Sequence, residues 1–263
     1  MTLIKILVVN GNEDDFIIIK NLLANIPHTN NYILYSCDSY ENAINSMLKS
    51  QYDLYMVFYH LKSHKGIELL NEAIKSNVAE PIIIINETDD YYADEDALKK
   101  GASAYLSKGN LDAYSLDRTI RYALHQQKNL QRIKESEKKF RTIFEKSPDP
   151  ILITDVSGNI HDINPAGEKF FGSLRVNIMK RNALSLYKNP ADREVFISQI
   201  EQRGSVSNLI IPLIAANNEV KICVISSFLQ ISQHGDNELF HTVIHDITHF
   251  KVHSGPAQPI NSA

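Results

Sequence analysis

YDLYMVFYHLKSHKG, residues 52–66, contains five apolar residues in a row, Leu54 to Phe58, followed by a polar turn that ends at a glycine. PIIII at residues 81–85 has the same character. Runs that are apolar at every position, rather than at alternate positions, are typical of strands buried on both faces of a parallel sheet. These segments therefore predict a parallel sheet with helices on both sides.

Three further strand candidates accompany these two, and each is followed by a helical pattern: IKILVV at 4–9, YILYSC at 32–37 and AYLSK at 104–108. This alternation predicts an α/β fold, a doubly wound sheet of five parallel strands. Ligands of such sheets bind beyond the carboxyl ends of the strands. The candidate site residues at those ends are Asn10, Gly11, Phe58, Asn86 and Lys108.

One long helix is predicted from Leu111 to about Phe144, because this segment contains no proline or glycine. Its apolar residues recur at mixed three- and four-residue steps, while Gln127, Lys134 and Glu137 interrupt the stripe. A homodimer through helix 112–144 and a solvated connector between two domains are both compatible with this pattern.

The pattern changes after Pro148, where short alternating strands and turns begin. Strands are predicted at ILITD (151–155) and NIHDIN (159–164), and helices at 166–171 and 190–203. Three longer strands follow at about 208–215, 220–231 and 239–248. We therefore expect an α+β domain with an antiparallel sheet.

The composition limits the classes of function. A net charge of −4 over 263 residues gives no basic excess for a phosphate backbone, so nucleic acid is not an expected partner. The two cysteines, Cys37 and Cys223, lie in different predicted domains and fit a reducing cytoplasm. No apolar run approaches the ~20 residues that span a bilayer, so we expect a soluble protein without membrane insertion.

Residues 1–122 resemble a response-regulator receiver domain in four stretches that occur in the expected order: LVVNGNEDDF, YDLYMVFYHLKSHKG, PIIIIN and ALKKGASAYLSKGNLD. The resemblance implies a flavodoxin-like fold. It also implies a site in which an acidic pair holds a divalent cation, an aspartate accepts a phosphoryl group, a hydroxyl follows the fourth strand, and a lysine contacts the phosphate.

Carried over by position, the acidic pair falls on Asn10 and Gly11, the acceptor on Phe58, the hydroxyl on Asn86 and the lysine on Lys108. Only Lys108 matches the family pattern. Phenylalanine has no nucleophilic atom, and three carboxylates around the metal are missing together. We therefore expect a degenerate phosphoacceptor site, with no catalytic residue and no metal, in which Lys108 is simply solvated.

Nearby polar residues offer alternatives. Glu13, Asp14 and Asp15 open the first helix, where carboxylates favour the positive end of the helix dipole, and metal binding is the other interpretation. His60 is interpreted as a loop histidine rather than a substitute acceptor. Tyr105 matches the aromatic residue that changes exposure when receivers are activated, which suggests an interaction face, although a half-buried strand also accounts for it.

The carboxyl-terminal half resembles a PAS sensory domain in two stretches, FRTIFEKSPDPILITDVSGNIHDINPAGEKFFG and FHTVIHDITHFK. Cys223 lacks the Asn-Cys-Arg context of covalent flavin binding, and no histidine occurs between Pro165 and Gln202 to ligate haem. We therefore expect no cofactor. The predicted division is a receiver-like domain at 1–122, a helical linker at 123–140, a PAS domain at 141–251 and a disordered tail at 252–263.

These features together suggest a non-enzymatic regulator of two-component, phosphorelay-type signal transduction in the cytoplasm. Its receiver lacks the phosphoacceptor, and Phe58 is expected to fill the acceptor position and fix one conformation. Its partner would be a histidine kinase, a phosphotransfer protein or another output protein. One alternative is a small-molecule sensor in which the PAS domain binds a ligand and the receiver is a scaffold. A second alternative is a working phosphorelay receiver that uses unusual residues.

Overall fold

The computed structural model describes residues 3–26, 31–231 and 238–249. The chain divides into two compact units, residues 1–135 and 136–263. This division falls inside the segment 123–140 assigned to a linker, and the four domain limits given above stay predictions. The proposed tail at 252–263 lies outside the described residues.

The first unit is a doubly wound α/β domain, as the sequence predicted. Its five parallel strands are β1 (Leu3–Val9), β2 (Asn31–Cys37), β3 (Leu54–Phe58), β4 (Ile82–Asn86) and β5 (Ala104–Ser107), in the order β2-β1-β3-β4-β5. This is the flavodoxin-like order. The intervening helices are α1 (Glu13–Ala24), α2 (Tyr40–Leu48), α3 (Gly66–Lys75) and α4 (Tyr91–Lys99).

Helix α5 (Ala113–Lys146) confirms the predicted long helix. Asp112 precedes it and accepts hydrogen bonds from the backbone amides of Tyr114 and Ser115, which satisfies donors that the first helical turn leaves free. No proline or glycine interrupts the following 34 residues.

Alternate residues of β3 pack on opposite faces of the sheet, and this places Phe58. All five residues of β3 are buried. Tyr55 and Val57 belong to the core that includes residues of α2, α3 and α4. Leu54, Met56 and Phe58 belong to the core formed with residues of α1 and the start of α5.

The second unit is an α+β domain whose antiparallel sheet has the order β7-β6-β10-β9-β8. Its strands are β6 (Ile151–Asp155), β7 (Ile160–Ile163), β8 (Ser205–Ile214), β9 (Val220–Ile231) and β10 (Glu238–Asp246). Between β7 and β8 lie α6 (Pro165–Phe171), α7 (Arg175–Ile178) and α8 (Pro190–Arg203). The sequence predicted the strands, α6 and α8, but not α7 or the short 3-10 helix at Ala183–Leu186.

Candidate functional site

The residues predicted for the site lie at the carboxyl edge of the parallel sheet. Phe58 and Asn86 are the last residues of β3 and β4, Asn10 and Gly11 follow β1, and Lys108 follows β5. Parallel strands end on the same edge, so the fold brings these positions to one region, as expected for a doubly wound sheet.

Phe58 is part of the hydrophobic core. Its side chain is 3% exposed and clusters with Ile19 of α1 and with Leu116 and Ile120 of α5. An aromatic ring in this position contributes apolar area and no atom able to attack phosphorus. The position that the receiver pattern reserves for a carboxylate is therefore filled with apolar bulk.

Lys108 is not simply solvated, which corrects the expectation from sequence. Its Nζ lies 2.7 Å from Oδ1 of Asp15 and 3.3 Å from Oε1 of Glu87. Asp15 is only 2% exposed. The hydrogen bond that Lys108 donates to Asp15 raises the pKa of Lys108; partial desolvation lowers this pKa, and the smaller contribution of Glu87 raises it. Lys108 is thus a paired cation at pH 7, and its partner is supplied by α1.

The sequence analysis did not identify Asp15 as the ion-pair partner of Lys108. It lies in the first turn of α1, as predicted, but it shares the buried face of that helix with Ile19 and Leu23, at four-residue steps. A carboxylate on the apolar face of a helix requires a buried countercharge. That four-residue spacing is the sequence signal that identifies an inward-facing acid.

Asn10 is held by local hydrogen bonds. It is buried, its Oδ1 accepts a hydrogen bond from the hydroxyl of Ser36 at 2.8 Å, and its Nδ2 donates to the carbonyl of Asn12. Asn12 in turn caps α1 by accepting from the amide of Asp15 at 2.9 Å. The amide at this position therefore connects β1, β2 and the start of α1.

Gly11 packs closely against the loop after β3. A Cβ at this position would lie 2.9 Å from the carbonyl oxygen of His60, closer than real Cβ contacts. An aspartate here would require movement of that backbone. With Asn10 Oδ1 bound to Ser36 and Asp15 bound to Lys108, the oxygen donors of this region do not fit the carboxylate shell that magnesium needs.

Asn86 joins β4 to β5 at the same edge. Its Nδ2 donates a hydrogen bond to the hydroxyl of Tyr105 at 2.7 Å, and its Oδ1 is buried without a partner among the described residues. Burial raises the pKa of Tyr105, while the hydrogen bond from Asn86 acts in the opposite direction. The tyrosine hydroxyl is therefore tethered to the position where the receiver pattern has a hydroxyl side chain.

Residues 148–249 match the family model of the PAS domain. Among solved structures, the chain is similar to the signal receiver domain of an HD domain-containing protein from Pseudomonas fluorescens, with 24% identity, a TM-score of 0.42, and coverage of 49% of this chain and 99% of that one. It is also similar to a response regulator receiver domain protein from Methanospirillum hungatei, with 20% identity, a TM-score of 0.42, and coverage of 49% and 98%.

The PAS domain of a protein from Colwellia psychrerythraea is similar at 21% identity, with a TM-score of 0.39 and coverage of 42% of this chain and 96% of that one. No match was found among the curated proteins. The carboxyl-terminal unit thus contains a PAS domain and the amino-terminal unit has the receiver fold, which confirms both resemblances at the level of fold. None of the helices in the described segments is long and apolar enough to span a membrane.

Proposed function

We propose that this chain is a non-enzymatic regulator of two-component signal transduction whose receiver-like unit acts by protein contacts without accepting phosphate. The proposal is supported by the burial of Phe58 together with the ion pair of Lys108. The acceptor position is filled by a buried ring, and the one residue that matches the receiver pattern is already bound to Asp15 at 2.7 Å.

A fixed conformation follows from the same contacts. In a working receiver, the phosphate would compete for the lysine and for the side chain after β4. Here the lysine has an internal carboxylate, and Asn86 already holds Tyr105. Both contacts form without any modification, so the face around Tyr105 would be presented constitutively.

Labelling with radioactive acetyl phosphate and magnesium tests this proposal. We expect no stable label on the full chain, because Phe58 offers no nucleophile and the surrounding donors do not fit the metal. A receiver domain with its aspartate intact is the positive control. Stoichiometric label that disappears in Lys108→Ala would overturn the proposal and favour a working phosphorelay receiver.

The partner face is proposed to include exposed aromatic side chains near the site. Tyr91 and Tyr92 lie in the first turn of α4, Tyr114 lies in the first turn of α5, and all three are exposed. The loops before these helices are joined by a hydrogen bond from Asn110 to Asp89. Tyrosine is enriched at protein interfaces, where its ring supplies contact area and its hydroxyl a hydrogen bond. The proposed partner is a histidine kinase, a phosphotransfer protein or another output protein.

We also propose a homodimer through α5. Its apolar residues Leu130, Ile133 and Phe140 are 54%, 64% and 54% exposed, at steps of three and seven residues. That spacing matches one side of a two-helix seam. A helix pair between two copies would remove these side chains from water.

The variant Ile133→Lys tests the dimer. Each copy would place a charge in the seam, so we expect dimerisation to weaken by about 2 kcal/mol or more, roughly 30-fold in the dissociation constant. Sedimentation equilibrium of the full chain measures this change. Gln131→Lys adds the same charge to the same helical turn outside the stripe and is expected to leave the constant unchanged; equal effects of the two variants would contradict the proposed seam.

The location and domain limits belong to the same proposal. Cys37 and Cys223 are both free thiols, which fits a reducing compartment, and we propose the cytoplasm. The receiver-like domain is proposed to extend to residue 122, with the PAS domain beginning at 141.

A further inference from the structure

A pocket of about 350 Å³ lies at the amino edge of the parallel sheet, opposite the edge that carries Phe58 and Lys108. Its walls come from the last turns of α3 and α4, from the loops that lead into β4 and β5, and from residues 123–130 of α5. This volume is within the range of small-molecule sites. All of its lining residues belong to residues 1–135.

Much of the pocket wall is aliphatic. Ile74 in the last turn of α3 and Leu98 in the last turn of α4 are 40% and 47% exposed, and Val78 lies beside them in the lining. Gly101 has a φ of +101°, and a Cβ at this position would lie 3.0 Å from Cδ1 of Ile74. The loop before β5 is thus packed on α3, and an alkyl chain in the pocket would cover apolar side chains that are now in water.

Glu80 supplies the acidic group of this pocket. The residue is half-buried, and its Oε2 is buried without a hydrogen-bond partner among the described residues. No lysine, arginine or histidine of the described segments lines the pocket. A carboxylate oxygen that is removed from water without a cation or a donor is unfavourable, and buried polar atoms are normally partnered. The pocket therefore lacks a positive charge or a donor at Glu80.

Neighbouring polar side chains donate elsewhere. The hydroxyl of Tyr55 donates to the carbonyl of Ser46 at 3.2 Å. Burial raises the pKa of Tyr55, and the negative charge of Glu80 raises it further. The amide of Gln127, on the α5 wall, donates to the carbonyl of Ala79 at 3.0 Å. Neither group is thus available to the carboxylate without the loss of an existing hydrogen bond.

Two helix ends also favour a positive charge in this pocket. Helix α3 ends at Lys75 and α4 at Lys99, and the carboxyl-terminal ends of helices carry partial negative charge. Lys99 and Lys100 each pair with an acidic side chain of α4, and neither lines the pocket. The carboxylate of Glu80 and the two helix ends therefore act in the same direction.

We propose that this pocket binds an aliphatic primary ammonium ion. The ammonium group would donate to the carboxylate of Glu80, and the alkyl chain would lie on Ile74 and Leu98. A carboxylate shares its charge between both oxygens, so a cation at either oxygen also compensates the buried one. Alkylammonium groups of the lysine type titrate near ~10.4 and are charged at pH 7. An anion would be repelled by Glu80, and a neutral apolar ligand would leave the carboxylate unpaired.

This site goes beyond the proposed signalling function and does not depend on it. The pocket and the degenerate acceptor site lie at opposite edges of the sheet, so phosphate labelling does not bear on ammonium binding. Leu130 of the proposed α5 seam also lines the pocket, but the proposed contacts do not involve it. The competing occupant is water, which would donate to the carboxylate without neutralising it.

Saturation-transfer NMR with n-hexylammonium and the full chain at pH 7 tests the proposal. The buffer contains about 150 mM sodium chloride, at which charges more than ~8 Å apart are largely screened. We expect saturable binding with a dissociation constant on the order of 1 mM. 1-Hexanol has the same chain without the charge and is expected to bind about tenfold more weakly.

Three variants separate the role of the charge from that of the wall. Glu80→Gln keeps the size of the side chain and is expected to weaken n-hexylammonium binding about tenfold, while 1-hexanol binding stays within about twofold and shows that the pocket is intact. Leu98→Ala is expected to weaken both ligands about threefold, because it shortens the apolar wall. Glu95→Gln removes the same charge from an exposed position of α4 outside the lining and is expected to change neither affinity by more than about twofold.

A wild-type chain without saturable n-hexylammonium binding up to about 20 mM would show that the pocket holds water only, and would overturn the proposal. Equal affinities for n-hexylammonium and 1-hexanol would contradict recognition of the cation. Equal losses in Glu80→Gln and Glu95→Gln would likewise refute the contact with Glu80, because a general effect of protein charge would then account for the binding.

Discussion

Lys108→Met is expected to destabilise the receiver-like unit by about 2–3 kcal/mol. The substitution leaves the carboxylate of Asp15 buried without its cation, since the side chain of Asp15 is 3% exposed and Lys108 Nζ is its ion-pair partner. Removal of one member of a fully buried pair costs about 3–5 kcal/mol, and the 23% exposure of Lys108 reduces this figure. Hydrogen exchange of the β1 and β5 amides in the full chain measures the loss within this unit.

Two further variants serve as controls for Lys108→Met. Lys100→Met removes an exposed ion pair with Asp96 on α4 and is expected to change stability by less than about 0.5 kcal/mol. The double variant Asp15→Leu/Lys108→Met removes both charges and is expected to recover most of the stability, because a buried ion pair is often replaceable by apolar residues. If Lys108→Met were as mild as Lys100→Met, the Lys108–Asp15 contact would have no structural role.

Local patterns were sufficient to predict both sheets and the long helix. Strands buried on both faces, such as β3 and β4, are apolar at every position, and this property depends only on the residues of the strand itself. The absence of proline and glycine between Leu111 and Phe144 was likewise sufficient to predict α5. The helix α7 was missed because a single turn of four residues is too short to show a helical period.

At the candidate site, the sequence shows which residues depart from the receiver pattern but not which contacts those residues make. The substitutions at Phe58 and Asn86 are visible in the sequence once the strand ends are assigned. The pairing of Lys108 with Asp15 joins residues 93 positions apart, and only the packing of α1 on the sheet brings them together. Position along the chain carries no information about such a contact.

Arg193 illustrates the same limit in the second unit. The helix from Pro190 to Arg203 was predicted, and Phe196 and Ile200 lie three and seven residues after Arg193, on one helical face. That spacing places Arg193 among core residues, but the sequence does not reveal whether a countercharge faces it. The structure shows that its Nη2 is buried and has no hydrogen-bond partner among the described residues.

Phe58→Asp is expected to be the most damaging single change at the receiver-like site, with a loss of at least about 4 kcal/mol. It removes a ring that packs against α1 and α5 and places a carboxylate in the same apolar cluster. No cluster of acidic, histidine or cysteine side chains among the described residues could hold a metal ion to compensate this charge. The loss is a large share of the ~5–15 kcal/mol that holds a domain folded, so partial unfolding of this unit is expected.

Phe58→Leu is the matched control and is expected to lose only about 1–1.5 kcal/mol, because it keeps the apolar character of the position and leaves a small cavity. Hydrogen exchange of β3 amides and acetyl phosphate labelling of the same samples distinguish a receiver site that lacks only its nucleophile from a packed core that cannot accept phosphate. If Phe58→Asp folded as stably as Phe58→Leu and accepted a phosphoryl group, the site would still be a receiver that lacks only its nucleophile. We instead expect Phe58→Asp to lose stability without accepting a label, because the core is packed around the ring of Phe58. The neighbouring positions are also occupied, since Gly11 packs on the carbonyl of His60 and Lys108 is paired with Asp15.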